Sequence, residues 1–208
     1  EIALFAAYAL VAYGNRAEEF EASFKYAVMG SISSTLILIG VGITYSAFST
    51  LTLAKIASQV PETNPAVVNW LRCIFVVGFG LKAAIIPFHA WLPDAHSSAP
   101  APISSMLSGV LIKALGVYVI IRLFFSVFGM PAAFGILFKV LGSISILVAS
   151  FLAINQWDIQ RLLAYSSISQ IGFIMLAIGI QTPLAVMGAV FHVLNHAIFK
   201  GLLFYNAG

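Results

Sequence analysis

The stretch Lys82-Ala-Ala-Ile-Ile-Pro87-Phe-His-Ala-Trp-Leu-Pro93-Asp-Ala-His96-Ser-Ser-Ala-Pro100-Ala-Pro102 opens on a lysine and carries four prolines in its last sixteen residues. Each proline removes a backbone donor. On both sides lie apolar runs, residues 66–86 and 106–128, each matching the roughly 20 residues needed to cross hydrocarbon. Non-helical backbone at that depth is tolerated only where protein or a water-filled cavity supplies the missing partners. Aromatic and apolar residues thread through the stretch, which favours an interrupted or re-entrant helix over a plain surface loop. Broken helices are where transporters bind or conduct ions.

Working outward, the whole chain has the composition that such a helix needs around it. It is 61% hydrophobic and 8% charged, against about 25% charged in ordinary soluble domains, and its mean hydropathy is +1.03. This describes an all-α, multi-pass integral membrane protein. The net charge of +3 is small and scattered along the chain, which argues against nucleic acid as a partner. The single cysteine, Cys73, excludes an internal disulfide or a cysteine-held cluster and reads as a small buried hydrophobe. Glu1 is not Met, apolar sequence starts at once, and the last residue, Gly208, directly follows an apolar run. Both ends read as cuts within a longer polypeptide.

Seven apolar segments are expected, with one break. The first, residues 1–13, is partial. A polar link, 14–25, holds Arg16, Glu18, Glu19 and Glu21. The second segment covers 26–48, and the link 49–65 has room for a short surface helix. The third runs over 66–86 and meets the break at 87–102. Further segments cover 106–128, 131–154, 162–180 and 183–205, with the link 155–161 before the penultimate one. Gly30, Ser34 and Gly40 suit close helix contacts. If the broken helix crosses once, Arg16, Lys25 and Arg161 share one side, and Lys55, Arg72, Arg122 and Lys139 share the other. Three against four sets no orientation.

The chemistry resides in the few ionisable groups inside spans. Lys82, Lys113 and Lys200 lie within apolar runs, where a fixed charge costs about 2.5–3.5 kcal/mol even on the insertion scale. With Glu1 they would cost on the order of 10 kcal/mol uncompensated. Such groups touch water, pair, or move protons. A buried lysine loses proton affinity through desolvation and regains it beside a carboxylate, so a Glu1–Lys82 pair of changing separation would take up and release a proton. His192, His196 and Lys200 are four apart and stack on one helical face.

Blander readings stand beside these. Lys82 and Lys113 fit structural ion pairs, and Lys200 fits a side chain snorkelling to the interface. His192 and His196 lack a third ligand for zinc and project from one face, a poor haem clamp; no metal and no cofactor is expected. His89, Asp94 and His96 fit caps of the break as well as catalytic groups. Trp70, Trp91 and Trp157 read as interfacial anchors.

The run from Lys82 to His96, with Ala99-Pro-Ala-Pro-Ile and Leu111-Ile-Lys113, resembles the central signature of the antiporter-like subunits. These occur in respiratory complex I, membrane-bound hydrogenases and Mrp-type sodium/proton antiporters. Phe24-Lys-Tyr-Ala-Val-Met-Gly-Ser-Ile-Ser-Ser34, Arg161-Leu-Leu-Ala-Tyr-Ser-Ser-Ile-Ser169 and His192-Val-Leu-Asn-His196-Ala-Ile-Phe-Lys200 extend the resemblance over nearly the whole chain. It implies part of a fold of about fourteen helices with inverted repeats and an interrupted helix. Residues 1–208 would form a single transmembrane domain covering about helices five to eleven.

The resemblance maps the family's essential glutamate onto Glu1, its partner lysine onto Lys82, and the next lysine of the proton path onto Lys113. Its polar row falls on His192, His196 and Lys200. It implies proton or sodium translocation within a redox-driven complex such as NADH:quinone oxidoreductase or a membrane-bound hydrogenase, without redox chemistry of the chain's own. A subunit of a stand-alone sodium/proton antiporter is the alternative. The implied partners are other membrane subunits, further antiporter-like subunits among them, and lipid, in a prokaryotic cell membrane. Gln160 and Gln170 stand where the family often has lysine and histidine. Gln170 does not titrate, so a relay there needs water or a bypass.

Overall fold

The computed structural model describes residues 2–208, apart from the side chains of Lys113 and Ala114. Helix α1 covers Ile2–Val11, α2 Ala17–Phe48, α3 Leu53–Gln59, α4 Pro65–Ala83 and α5 Trp91–Ser98. Then α6, Ala101–Met106, passes through two π-helical stretches, Leu107–Leu111 and Lys113–Tyr118, into α7, Val119–Ser126. The last three are α8 Ala132–Ile154, α9 Ile159–Ile180 and α10 Pro183–Asn206. Among the described residues six helical spans are long and apolar enough to cross a membrane, counting Ala101–Ser126 as one, and α1 is a shorter apolar helix. The short helix expected in the link after α2 is α3. The charged link before α2 is only partly a loop: Glu18, Glu19, Glu21 and Lys25 occupy the first turns of α2, where acidic side chains complement the helix dipole.

Helix starts follow their caps. Asn64 accepts from Ala66 N–H ahead of Pro65, Asp158 from Gln160 N–H, and Thr182 from Ala185 N–H ahead of Pro183. Proline at the first helical position costs nothing because its missing donor would be an orphan anyway.

The break differs from its expected limits. Helix α4 stops at Ala83, and Ala84 turns left-handed with φ 55°, a conformation that an alanine keeps only when its surroundings enforce it. Residues 84–90 form turns and then α5 resumes, so the expected gap of 87–102 contains ten helical residues, eight of α5 and two of α6. The physical reason lies in where the prolines fall. Pro93 sits in the first turn of α5, Pro100 precedes α6 and Pro102 lies in its first turn, positions that make no intrahelical donor bond. The Ile86–Pro87 peptide is cis. Ala84 and Ile85 N–H both reach Gly80 O. Ile86 N–H donates to Ser145 Oγ of α8 at 3.2 Å, and Trp91 Nε1–H donates to Leu81 O at 3.1 Å. Side chains thus close the backbone bonds that the break opens.

Trp91 corrects the reading of that residue as an interfacial anchor. It is buried, and its ring stacks on Tyr26 at 4.5 Å and 5°. Trp70 and Trp157 are exposed. Cys73 corrects the other way: it is exposed on α4, because helices surrounded by lipid are apolar on both faces and hydropathy does not say which side turns inward.

The spans pack through small residues. Gly30 leaves room for the Tyr8 hydroxyl and Gly40 for Phe75. Glycines seven apart on α8, Gly135 and Gly142, lie against α9 at Gly179 and Gly172. A Cβ on Gly142 would come 2.6 Å from Leu176 N, and one on Gly179 2.7 Å from Gly135 O. Gly116 fits against the Ala83 backbone, and a Cβ on Gly109 would come 3.2 Å from Ala197 O of α10. The π-helical span therefore lies between the break and α10.

Lys25 of α2 and Arg161 of α9 both bind Asp94 of α5, so the starts of three helices share one end of the bundle. Arg72 donates to Phe128 O at the other end. The broken helix crosses once.

Candidate functional site: a buried polar row between α9 and α10

Helices α9 and α10 run antiparallel, and their facing residues set the polar row. His192 Nε2 and Gln170 Oε1 lie 2.8 Å apart, within hydrogen-bond distance. One turn on, the His196 ring is fully buried and parallels that of His192 at 5.9 Å and 7°. One turn further, Lys200 is 2% exposed. Its ammonium donates to Leu163 O at 3.0 Å and to Ser166 Oγ, and lies 6.0 Å from the Phe204 ring centroid. No carboxylate lies within ion-pair distance of Lys200 among the described residues. The snorkelling reading of Lys200 is thereby overturned. Carbonyl and hydroxyl acceptors one helix away hold the amine inside the bundle, so the chain stem has no need to reach the interface.

From His192 to Lys200 the row spans about 12 Å of helix. Sequence spacing identified its α10 half. It missed Ser166 and the Leu163 carbonyl on α9, and Gln170 appeared only as a departure from the family pattern. The available signal was the hydroxyl cluster Tyr165, Ser166, Ser167 and Ser169 in an otherwise apolar helix.

Lys82 lies elsewhere, near the end of α4, half-buried beside the break. It lines a cavity of about 20 Å³ with Leu4, Tyr26, Ser33, Trp91 and Ile112, space for about one water. Leu4 brings α1 to the cavity wall. Glu1, the expected partner of Lys82, lies outside the described residues. For Lys113 the backbone alone is described, within the second π-helical stretch. Such bulges occur frequently at functional sites.

The other titratable groups near the break separate by role. Asp94 binds Lys25 at 2.9 Å and Arg161 at 3.3 Å, while Lys25 also meets Glu21 at 2.7 Å. This network joins three helix starts. His96 is fully buried and stacks on Phe204 at 4.3 Å, and its carbonyl accepts from Ser104 Oγ at 3.1 Å.

The profile of the family described as NADH:quinone oxidoreductase/Mrp antiporter, TM, matches residues 1–208. The chain belongs to this family. Within it, the chain is 38% identical over 212 residues to NADH-quinone oxidoreductase subunit N of Desulforudis audaxviator, covering all of this chain and 42% of that protein. It is 34% identical over 210 residues to a Na(+)/H(+) antiporter subunit of Alkalihalophilus pseudofirmus, again over 100% of this chain and 42% of the relative. Its fold is similar to a chain of the membrane-bound sulfane sulfur reductase, an archaeal respiratory membrane complex, with a TM-score of 0.91 and 36% identity, over 98% of this chain and 42% of that one. This member of the antiporter family thus spans under half the length of the relatives it matches. It is a multi-pass integral membrane protein.

Proposed function

We propose that this chain forms part of a subunit that translocates protons, or sodium ions, across a prokaryotic membrane within a redox-driven complex such as complex I or a membrane-bound hydrogenase. Electron transfer takes place in partner subunits, and further antiporter-like subunits stand beside it in the membrane. A Glu1–Lys82 pair takes up and releases the ion's charge. Lys113 passes it on, and His192, His196 and Lys200 complete a lateral route through water and side chains. The whole protein has about fourteen helices in inverted repeats, of which this chain supplies about the fifth to the eleventh.

The observation that carries this reading is Lys200. It is an amine 2% exposed and held by a carbonyl and a hydroxyl, with no carboxylate within ion-pair distance among the described residues. A permanent charge there is costly. An amine that alternates between charged and neutral forms is what a relay uses, and the imidazole of His196 one turn away offers a further donor and acceptor. The water-sized cavity at Lys82 supports a hydrated contact between the break and α1.

The test is proton uptake by sealed vesicles carrying the full-length protein in its native complex. Lys82→Ala and Lys113→Ala should each abolish uptake while assembly persists, and Glu1→Gln should reduce it strongly. Wild-type uptake by the two lysine variants sinks the reading. The identity to a component of a Na(+)/H(+) antiporter supports the second reading, a stand-alone antiporter subunit. Purification settles between them: iron–sulfur subunits accompany the first, and none accompany the second.

A further inference from the structure

One oxygen on α9 collects three side-chain donors. Leu163 O accepts from Ser166 Oγ at 2.9 Å, from Ser167 Oγ at 2.9 Å and from Lys200 Nζ at 3.0 Å. A serine bonding the carbonyl three or four residues back is ordinary in a helix. Two further contacts are not. Ser166 Oγ also accepts from Lys200, and Ser167 Oγ meets Ser108 Oγ, from the first π-helical stretch, at 3.3 Å with either hydroxyl donating. Ser108 and Ser167 are fully buried. Neighbouring serines on α9 thus meet different elements, Ser167 the span that carries Lys113 and Ser166 the Lys200 amine. Because Ser167 and Lys200 bond the same oxygen, their polar atoms are within the reach of one water.

We propose that the hydroxyls of Ser108 and Ser167 bridge the π-helical span and Lys200 as proton-relay groups, with the Ser166 hydroxyl holding the amine at the far end. This rests on the translocation reading above and names residues that it lacks. A hydroxyl both donates and accepts, so it passes a proton without ever holding a net charge. A proton arriving at Ser108 Oγ binds a lone pair as the hydroxyl's own proton leaves for Ser167 Oγ. Ser167 releases its original proton to a bridging water, which gives one of its own to the Lys200 amine. Ser166 accepts from the resulting ammonium and holds it in place. Each oxygen ends neutral, rotation about its C–O bond restores the starting direction, and no electrons are exchanged.

The experiment compares variants of the full-length protein in its native complex, in sealed vesicles, by initial rate of proton uptake. Ser108→Ala with Ser167→Ala removes both ends of one contact, which limits the cost of a stranded buried group. It should assemble normally and slow uptake about tenfold, less than the roughly hundredfold loss of an acid–base side chain, because water takes over part of a hydroxyl's role. Ser167→Thr, which keeps a hydroxyl, should run severalfold faster than Ser167→Ala. A double-alanine variant at wild-type rate beside an inactive Lys200→Met overturns the bridge and leaves the translocation reading standing. Wild-type rates in all of them, Lys200→Met included, bring down the translocation reading itself. If the double variant does not assemble, Ser167→Ala and Ser167→Thr carry the contrast, and equal rates for the two overturn the bridge.

Discussion

Two cationic sites, one of Lys25 and Arg161 and one of Lys200 alone, lie within one turn of each other along α9, and they are built oppositely. Arg161 points to Asp94, where Lys25 joins it, and Glu18 and Glu21 line the same partly open cleft of about 360 Å³. Two residues along, Leu163 faces Lys200, where the acceptors are a carbonyl and a hydroxyl. The Asp94 carboxylate is 24% exposed and its basic partners about 40% or more, whereas Lys200 is 2% exposed. Where water reaches, carboxylates fix the charges permanently and the cluster ties helices together. Where it does not, a buried ion pair would have to offset two desolvation penalties. Neutral oxygens hold the amine without adding a second buried charge. The first arrangement is suited to holding and the second to relaying.

The contrast is broken most severely at Lys200. Lys200→Met should cut proton uptake about a hundredfold, as loss of an acid–base group does. Thermal unfolding of the purified protein should nonetheless be unchanged or shifted upward, because replacing a buried charge by an apolar chain of similar size is often neutral or stabilising and Leu163 O keeps two other donors. A large loss of stability would make Lys200 a structural tie like Asp94.

Asp94→Asn should do the reverse. Uptake falls little, while the melting temperature drops by several degrees as Lys25 and Arg161 lose their shared anion. Added salt should narrow the difference from wild type, since exposed charges are screened. Trp91→Phe keeps the stack on Tyr26 but removes the donor to Leu81 O. That oxygen still accepts from Ala84 N–H at 3.2 Å, so denaturant unfolding should show a loss of only about 1 kcal/mol. The smallest effect is expected at Gln170→Leu, which takes from His192 its neutral 2.8 Å partner and should slow uptake roughly twofold, the low end of one hydrogen bond's worth. A collapse of uptake there would mean that the row depends on the His192 orientation far more than on Lys200.

Hydropathy and proline positions made the spans and the existence of a break legible, because both are one-dimensional properties of the chain. Rotation about each helix axis is not. Lipid is as apolar as a protein interior, so Cys73 could be read inward and Lys200 outward, and both were the other way. Lys200 turns inward because α9 offers it Leu163 O and Ser166, an arrangement that only antiparallel packing creates. The break begins at Ala84, earlier than its prolines, because a left-handed alanine leaves no mark in the sequence. Trp91 resembled an interface anchor by type, yet the carbonyl that α4 exposes at Leu81 gave its N–H a buried partner. The four-residue spacing of His192, His196 and Lys200 places them on one face of α10. Their oxygen partners lie in a hydroxyl cluster that spacing arguments do not single out.

The glycine seam of α8 and α9 has a mechanical consequence. Two helices in contact backbone to backbone have no side-chain layer between them to compress or reorient, so the pair behaves as a stiff beam. The break and Lys200 are both tied to that beam, the first through Ser145 on one flank and the second through Leu163 on the other. Compliance is left to the jointed α4–α5 segment and to the π-helical span, whose bonding pattern is already out of α-helical register. A displacement at Lys82 is therefore taken up on the α6–α7 side of the bundle, with the beam as the fixed frame against which it is measured.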